Sequence, residues 1–150
     1  MLKGFPDLPP VWLVLGLGLA WVLAGWMPLV RLFGPLWQGL GLVLALAGVA
    51  LILWAALWFR RKRTTIEPHH DPHALIVEGP YRFSRNPIYL GMLAILSGAV
   101  IWHGALSGAA LPVAFAAILE RRFILPEEAA LRRAFGAEAA RYLENTRRWL

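Results

Sequence analysis

The stretch LWQGLGLVLALAGVALILWAALWFRRKR, residues 36–63, decides the fold of this chain. Its apolar part, residues 36–59, would extend roughly 36 Å as an α-helix, which is long enough to cross a bilayer with some tilt. The basic run RRKR, residues 60–63, follows directly, and such a run is typical of the cytoplasmic end of a membrane helix. The pattern predicts a membrane-spanning helix that stops at the basic run.

The composition of the whole chain agrees with a membrane protein. Hydrophobic residues make up 59% of the 150 residues and charged residues only 16%, whereas a soluble domain has about half and a quarter. The absence of cysteine excludes disulfides, thiolate metal sites and a cysteine nucleophile. The net charge is +6. Because the basic residues flank apolar blocks, they indicate anionic lipid and membrane topology rather than nucleic acid.

Three further apolar blocks accompany the first, at residues 11–27, 88–102 and 108–125, with a kink expected at Pro112. The block at 88–102 is short, so the last hairpin either spans or lies partly submerged. Residues 126–147 are charged and Ala-rich, which predicts an amphipathic helix on the membrane surface or under the bundle. The expected fold class is an all-α, polytopic integral membrane protein with about four transmembrane helices and a C-terminal amphipathic helix.

The positions of the basic residues predict the orientation of the chain. Lys3, residues 60–85 and the region after Glu120 hold every Lys and Arg except Arg31. Four spans with both termini in the cytoplasm satisfy the positive-inside rule. The loop before the third helix and the C-terminal helix then share the cytoplasmic face, where they can meet. We expect one membrane-embedded unit over residues 1–150, with two N-terminal helices in 1–63 and the loop, hairpin and C-terminal helix in 64–150.

The loop ends in EGPYRFSRNPIYLG, residues 78–91, which is unusually rich in residues that constrain a backbone. Pro80 and Pro87 fix the backbone at two points, and Pro87 suits the first turn of the third helix. Arg82 and Arg85 offer planar guanidinium groups to a carboxylate or phosphate. The alternative is a plain turn at the start of a helix, with arginines that reach lipid phosphates.

Two acidic residues follow the fourth apolar block, Glu127 and Glu128. Carboxylates at a membrane boundary can neutralise an ammonium or a sulfonium group. The alternative is that they complement the positive end of the helix dipole.

The His-rich segment HHDPH, residues 69–73, has residue types that bind metals. Neighbouring ligands on a flexible loop rarely close a tetrahedral site. The remaining histidine, His103, is predicted on the opposite side of the membrane. We therefore predict no metal site and interpret the segment as a solvated, pH-sensitive loop.

Two blocks of the sequence resemble a known family. GPYRFSRNPIYLG, residues 79–91, is similar to the signature of the isoprenylcysteine carboxyl methyltransferase family, which also resembles membrane phospholipid methyltransferases. That signature has Gly-Pro-Tyr, then Arg-His-Pro or a variant, then Tyr-x-Gly. EEAALRRAFGAEAARYLENTRRWL, residues 127–150, resembles the family's second block, a Glu-Glu pair followed by Phe-Gly, spaced tyrosines and a basic-aromatic end. The resemblance covers roughly residues 64–150, and the segments TTIEP, residues 64–68, and LIVEGPYR, residues 75–82, also look like the family's bacterial members.

The resemblance implies an S-adenosylmethionine-dependent methyltransferase in a bacterial inner membrane, with S-adenosylhomocysteine as product. It implies a cofactor pocket on the cytoplasmic side and an acceptor that arrives from the bilayer. The acceptor is a membrane lipid or lipophilic small molecule, and a carboxylate, a thiol and a phospholipid amine all stay open. The oligomeric state is not predicted, and no nucleic acid partner is expected.

The residues and the resemblance together lead to a hypothesis about individual roles. Catalytic roles fall to Arg82, Arg85 and Arg148, of which Arg82 and Arg148 orient an anionic acceptor. The residues expected to contact the cofactor are Tyr81, Arg85, Asn86, Pro87, Tyr89, Gly91, Glu127, Glu128 and Tyr142. Within this set, a glutamate of the pair binds the amino group or ribose of the cofactor. Arg85 and Asn86 bind its carboxylate or adenine.

Two positions depart from the family pattern. Asn86 stands where many members have His, and it cannot change charge near pH 7. Ala139 stands where a tyrosine is common. These departures keep two alternatives open: an NADPH-dependent membrane reductase of the sterol-reductase type, and a non-catalytic membrane module.

Overall fold

The computed structural model describes residues 7–30, 34–62 and 75–150, and these residues form helices and no strand. The five helices are α1 (Pro9–Trp26), α2 (Pro35–Lys62), α3 (Pro87–His103), α4 (Leu111–Leu119) and α5 (Leu125–Asn145). Single 3₁₀ turns lie at Gly79–Arg82 and Leu106–Gly108, and a π-helical segment, Glu120–Ile124, joins α4 to α5. The all-helical prediction is confirmed.

Prolines determine where the helices begin. Each helix has a proline in its first two positions: Pro9, Pro35, Pro87, Pro112 and Pro126. A proline fits at the starts of α1 to α4 because the N–H that it lacks has no partner in a first turn. Pro126 differs, because α5 continues directly from the π-helical segment. The expected kink at Pro112 is therefore wrong, since α4 begins at Leu111.

The glycines of α2 and α3 let the two helices pack with their backbones in contact. A Cβ atom added to Gly48 would lie 2.5 Å from the carbonyl oxygen of Gly91, and one added to Gly41 would lie 2.6 Å from that of Gly98. Small residues spaced along a helix permit such close approach, which is common between membrane helices. Gly91, predicted to contact the cofactor, lies in this interface.

The outer surface of α1 and α2 is apolar. Both helices are long and apolar enough to cross a membrane, with mean hydropathies of 1.6 and 2.6. Large apolar side chains point outward on them, including Trp21, Leu36 and Val43, which are 66%, 72% and 64% exposed. Contiguous apolar surface of this kind is unsuited to water and suited to lipid.

The buried core lies between α3, α4 and the π-helical segment. Leu96, Leu119, Phe123 and Ile124 are almost completely buried there, and apolar side chains of α1 pack against this cluster. Tyr89, a predicted site residue in the first turn of α3, belongs to this core.

Several predicted boundaries need correction. The helix expected to stop at the basic run continues through Arg61 to Lys62. The block predicted at 108–125 is a short α4 followed by the π-helical segment. The predicted C-terminal helix bends at Gly136, where φ is 52° and ψ is −121°. The His-rich segment 69–73 lies outside the described residues.

Candidate functional site

The two polar segments predicted to share one face are in direct contact. The Arg85 guanidinium, just before α3, donates from Nη1 to Oε1 of Glu128 in the first turn of α5, at 3.0 Å. The Tyr89 hydroxyl, in the first turn of α3, donates to the Glu127 carboxylate. These contacts join residues that are about forty positions apart in the sequence.

Arg85 also holds the C-terminal end of the chain. Its guanidinium donates to the backbone carbonyls of Leu143 and Thr146, at the end of α5. Its backbone N–H donates to the carbonyl of Arg147, at 2.9 Å. The carbonyls at the end of a helix have no partner within the helix, so a cationic fork suits them. Arg85 therefore connects the loop, the start of α5 and the end of α5.

Glu128 is buried and paired with two guanidinium groups. Besides Arg85, Arg148 donates to it from Nε and Nη2, both at 2.9 Å, and Arg148 donates from Nη1 to Glu120 at 2.6 Å. Burial alone would raise the pKa of Glu128, but the hydrogen bonds and charges of Arg148 and Arg85 outweigh it and lower that pKa. Glu128 is therefore held in its charged form.

Glu127 has the opposite electrostatic environment. It is half-buried, and its hydrogen bond comes from the neutral Tyr89 hydroxyl. Burial raises the pKa of Glu127 to about 7, against the opposing effect of the Tyr89 hydrogen bond. Two neighbouring carboxylates with opposite pKa shifts are typical of a site in which one group binds and the other exchanges a proton.

Tyr81 and Tyr142 connect the 3₁₀ turn to α5 near the glutamate pair. The Tyr142 hydroxyl donates to the backbone carbonyl of Tyr81 at 2.9 Å, which connects α5 to the 3₁₀ turn. Burial, followed by the charge interactions with Tyr142 and Glu127, raises the pKa of Tyr81. Both tyrosines therefore stay neutral near pH 7.

The Asn86 side chain is hydrogen-bonded to the backbone near the end of the chain. Its side-chain amide donates from Nδ2 to the carbonyl of Arg148 at 3.0 Å, and its backbone N–H donates to the Ser84 hydroxyl at 3.1 Å. The residue is buried and precedes Pro87, which is also buried. As expected before a proline, its φ of −129° lies outside the helical region.

A cleft of about 600 Å³ opens between the segment before α3 and the second half of α5. Its lining combines two apolar residues, two arginines, a carboxylate and several hydrogen-bonding groups: Leu75, Val77, Arg82, Glu138, Arg141, Tyr142, Asn145 and Thr146. Arg82 and Tyr142 were predicted site residues. Thr146 connects the cleft to the ion-pair cluster, because its carbonyl accepts from Arg85.

Three residues that belong to this arrangement were not predicted from the sequence. Glu120 binds Arg148, Ser84 donates to the carbonyl of Arg148 at 3.3 Å, and Thr146 binds Arg85. Glu120 could have been found, because it is a carboxylate inside a predicted apolar block. The role of Thr146 could not have been predicted, because it uses the backbone carbonyl, which every residue type has.

The described residues contain no group of three or more His, Asp or Glu side chains placed to hold a metal ion. The histidines of segment 69–73 are not among the described residues.

Comparison with known proteins matches the chain to a family. A family model described as "Phospholipid methyltransferase" matches residues 36–138. The matched range begins in α2, includes the polar segment before α3, and ends in the second half of α5. No curated protein and no solved structure matches the chain.

Proposed function

The chain belongs to the phospholipid methyltransferase family, and we propose that it is a membrane-embedded methyltransferase that transfers the methyl group of S-adenosylmethionine to a lipophilic acceptor. The observation that carries this proposal is the pairing of Arg85 with Glu128 and of Tyr89 with Glu127, which assembles the two polar segments beside a cleft. The acceptor is a carboxylate, a thiol or a phospholipid amine at the bilayer surface.

The lining of the cleft fits the chemistry of the cofactor. Arg82 and Arg141 can bind a carboxylate, and Glu138 can bind an ammonium group. The ring of Tyr142 can lie against adenine or a sulfonium. The cleft has a volume of about 600 Å³ and is open to solvent, so a ligand there would lie in a surface groove.

The side chains around the cleft would chiefly position the reactants, because the donor needs no further activation. When bound, S-adenosylmethionine supplies a methyl group already activated on a sulfonium, and S-adenosylhomocysteine is the product. Arg85 and Glu128 hold the framework through their mutual ion pair. Arg82, exposed at the cleft, binds an anionic group of the cofactor or the acceptor.

We propose that the Glu127 carboxylate accepts a proton from the methyl acceptor or binds a cationic group. Amine and thiol acceptors must lose a proton when their lone pair bonds to the methyl carbon, whereas a carboxylate acceptor has none to lose. A carboxyl group with a pKa of about 7 can take that proton near neutral pH. The Tyr89 hydroxyl fixes its orientation at the start of α3.

We further propose four spans with both termini in the cytoplasm of a bacterium. α1 and α2 would cross fully, and α3 with the α4–π segment would form the second hairpin. The apolar exterior of α1 and α2 supports the first pair. The turn between α3 and α4 contains no Lys or Arg, which supports its placement on the outer side.

The proposal is tested by ligand binding to the purified protein in detergent. S-adenosylhomocysteine should raise its melting temperature, and NADPH should not. Arg82→Ala should weaken S-adenosylhomocysteine binding by about tenfold, the effect of losing one charged hydrogen bond. Arg133→Ala, which removes an exposed arginine of α5 outside the cleft, should leave binding unchanged.

Two outcomes overturn the proposal. Stabilisation by NADPH alone would indicate a reductase of the sterol-reductase type. No stabilisation by either ligand, together with no transfer of labelled methyl groups to membrane lipids, would indicate a non-catalytic membrane module.

A further inference from the structure

Residues 146–150, here called the C-terminal strap, lie against the short segment that precedes α3. Successive backbone carbonyls of the strap are bound by that segment. Arg85 N–H donates to the carbonyl of Arg147 at 2.9 Å, and Asn86 Nδ2 donates to that of Arg148 at 3.0 Å. The strap lies beyond the residues that the family model matches, which end at 138.

Side chains of the strap fasten it to α5, the π-helical segment and the core. The Arg148 guanidinium donates twice to Glu128 and once to Glu120. Trp149, the next residue, packs against the core cluster that contains Tyr89. The strap is thus held by charged hydrogen bonds on one side and by apolar packing on the other.

The strap is continuous with the cleft proposed for the methyl donor. Thr146, its first residue, lines the cleft, and the Thr146 carbonyl accepts from the same Arg85 that pairs with Glu128. Release of the strap would therefore shift one wall of the cleft. It would also remove partners from Arg85 and from Glu128, because both bind the strap.

We propose that the C-terminal strap shapes the methyl-donor cleft, with Arg148 and Asn86 as positioning residues that act through it. The inference rests on the proposed function, because it names the part of the chain that sets the geometry of that cleft. Neither side chain needs to touch the cofactor. Arg148 neutralises Glu128 and Glu120, and Asn86 fixes the strap backbone.

The docking of the strap is tested by hydrogen exchange, which does not depend on methyl transfer. The Arg85 amide is bonded to the Arg147 carbonyl, so its exchange reports whether the strap is docked. Arg148→Ala should speed exchange of this amide at least tenfold. Arg147→Ala is the matched control, because the Arg147 side chain is exposed and its carbonyl is retained. Equal exchange in both variants would overturn the proposal.

The role of Asn86 is tested by two substitutions. Asn86→Asp keeps the size of the side chain but removes the N–H donor, so it should speed exchange of the Arg85 amide. Asn86→His keeps an N–H donor and should restore slow exchange. Fast exchange in Asn86→His and slow exchange in Asn86→Asp would contradict the role of that hydrogen bond.

The link to the cleft is tested by kinetics at a temperature well below the melting point of each variant. Arg148→Ala should raise KM for S-adenosylmethionine about tenfold, with KM for the acceptor unchanged. If Arg148 only stabilised the fold, Arg148→Ala would reduce the fraction of active protein. The apparent kcat would then fall while KM for the donor stayed constant, and that result would overturn the proposal. If the unaltered protein transferred no methyl group, the proposed function would fail, and hydrogen exchange would still decide whether the strap docks.

Discussion

At the scale of single residues, the molecule separates two glutamates that the sequence presents as equivalent. Neighbouring positions on a helix point in directions about 100° apart, so Glu128 meets Arg85 and Arg148 while Glu127 meets Tyr89. The sequence predicted that both glutamates contact the cofactor. It could not assign the partners, because they come from a loop, from the first turn of α3 and from the end of the chain.

The first prediction concerns the stability that Glu128 provides. Glu128→Gln removes the charge that two half-buried guanidinium groups share, although Arg148 keeps its pair with Glu120. The free energy of unfolding should fall by about 2 kcal/mol, which allows for the solvent exposure of the arginines. Thermal unfolding in detergent, followed by circular dichroism, measures the change. Glu144→Gln, at an exposed position of α5, serves as the control. Equal melting temperatures for the two variants would contradict the ion-pair account.

The second prediction concerns the pH dependence of stability. The pKa of Glu127 is raised to about 7 in the folded protein, from 4.5. The folded state therefore holds this proton more tightly than the unfolded state does, so stability should decline as pH rises from about 4.5 to 7 and then level off. Glu127→Gln should remove this part of the slope, as measured by melting temperature against pH. The same slope in the variant would show that Glu127 is not the titrating group.

At the scale of helices, the sequence predicted the starts better than the interruptions. Prolines mark the starts because they cannot take later helical positions without loss of a hydrogen bond. The bend at Gly136 and the π-helical segment Glu120–Ile124 were not predicted. Both lie within helical composition, and the π-helical segment is held by contacts distant in sequence, from Glu120 to Arg148 and from Arg122 to Asp7.

The third prediction concerns the contact between α2 and α3. A methyl group at position 48 would meet the carbonyl oxygen of Gly91 at 2.5 Å, so Gly48→Ala should lower the free energy of unfolding by about 1–3 kcal/mol. Gly18→Ala in α1 is the matched control, because no atom lies within 4 Å of the added methyl group. It should be neutral or slightly stabilising, since alanine favours helix. If Gly48→Ala melted at or above the control, the close packing of these helices would be refuted.

At the scale of the whole molecule, the sequence predicted that two distant polar segments meet, and the contacts of Arg85 and Tyr89 with the glutamates agree. It did not predict how the end of the chain completes the arrangement. Most of the contacts between residues 146–148 and the loop are made by backbone carbonyls. Because every residue type has a carbonyl, these contacts cannot be recognised in the sequence. Their positions follow from tertiary structure alone.

The fourth prediction concerns orientation in the membrane. The chain has no cysteine, so single cysteines can report which side of the membrane a position faces. Leu106→Cys, in the turn between α3 and α4, should react with a membrane-impermeant maleimide from the outer side of intact cells. Glu144→Cys, on α5, should react only after the membrane is opened. Labelling of both positions from the same side would contradict four spans.

The central claim is that this membrane protein transfers methyl groups, and one measurement tests it most directly. The purified protein is placed in vesicles of bacterial lipids with S-adenosylmethionine labelled in the methyl group, and the extracted lipids are analysed by mass spectrometry. The account predicts labelled lipid-soluble products with the unaltered protein and at least tenfold less with Arg85→Ala, which loses the Glu128 pair. Labelling that is absent with the unaltered protein, or undiminished in Arg85→Ala, would contradict it.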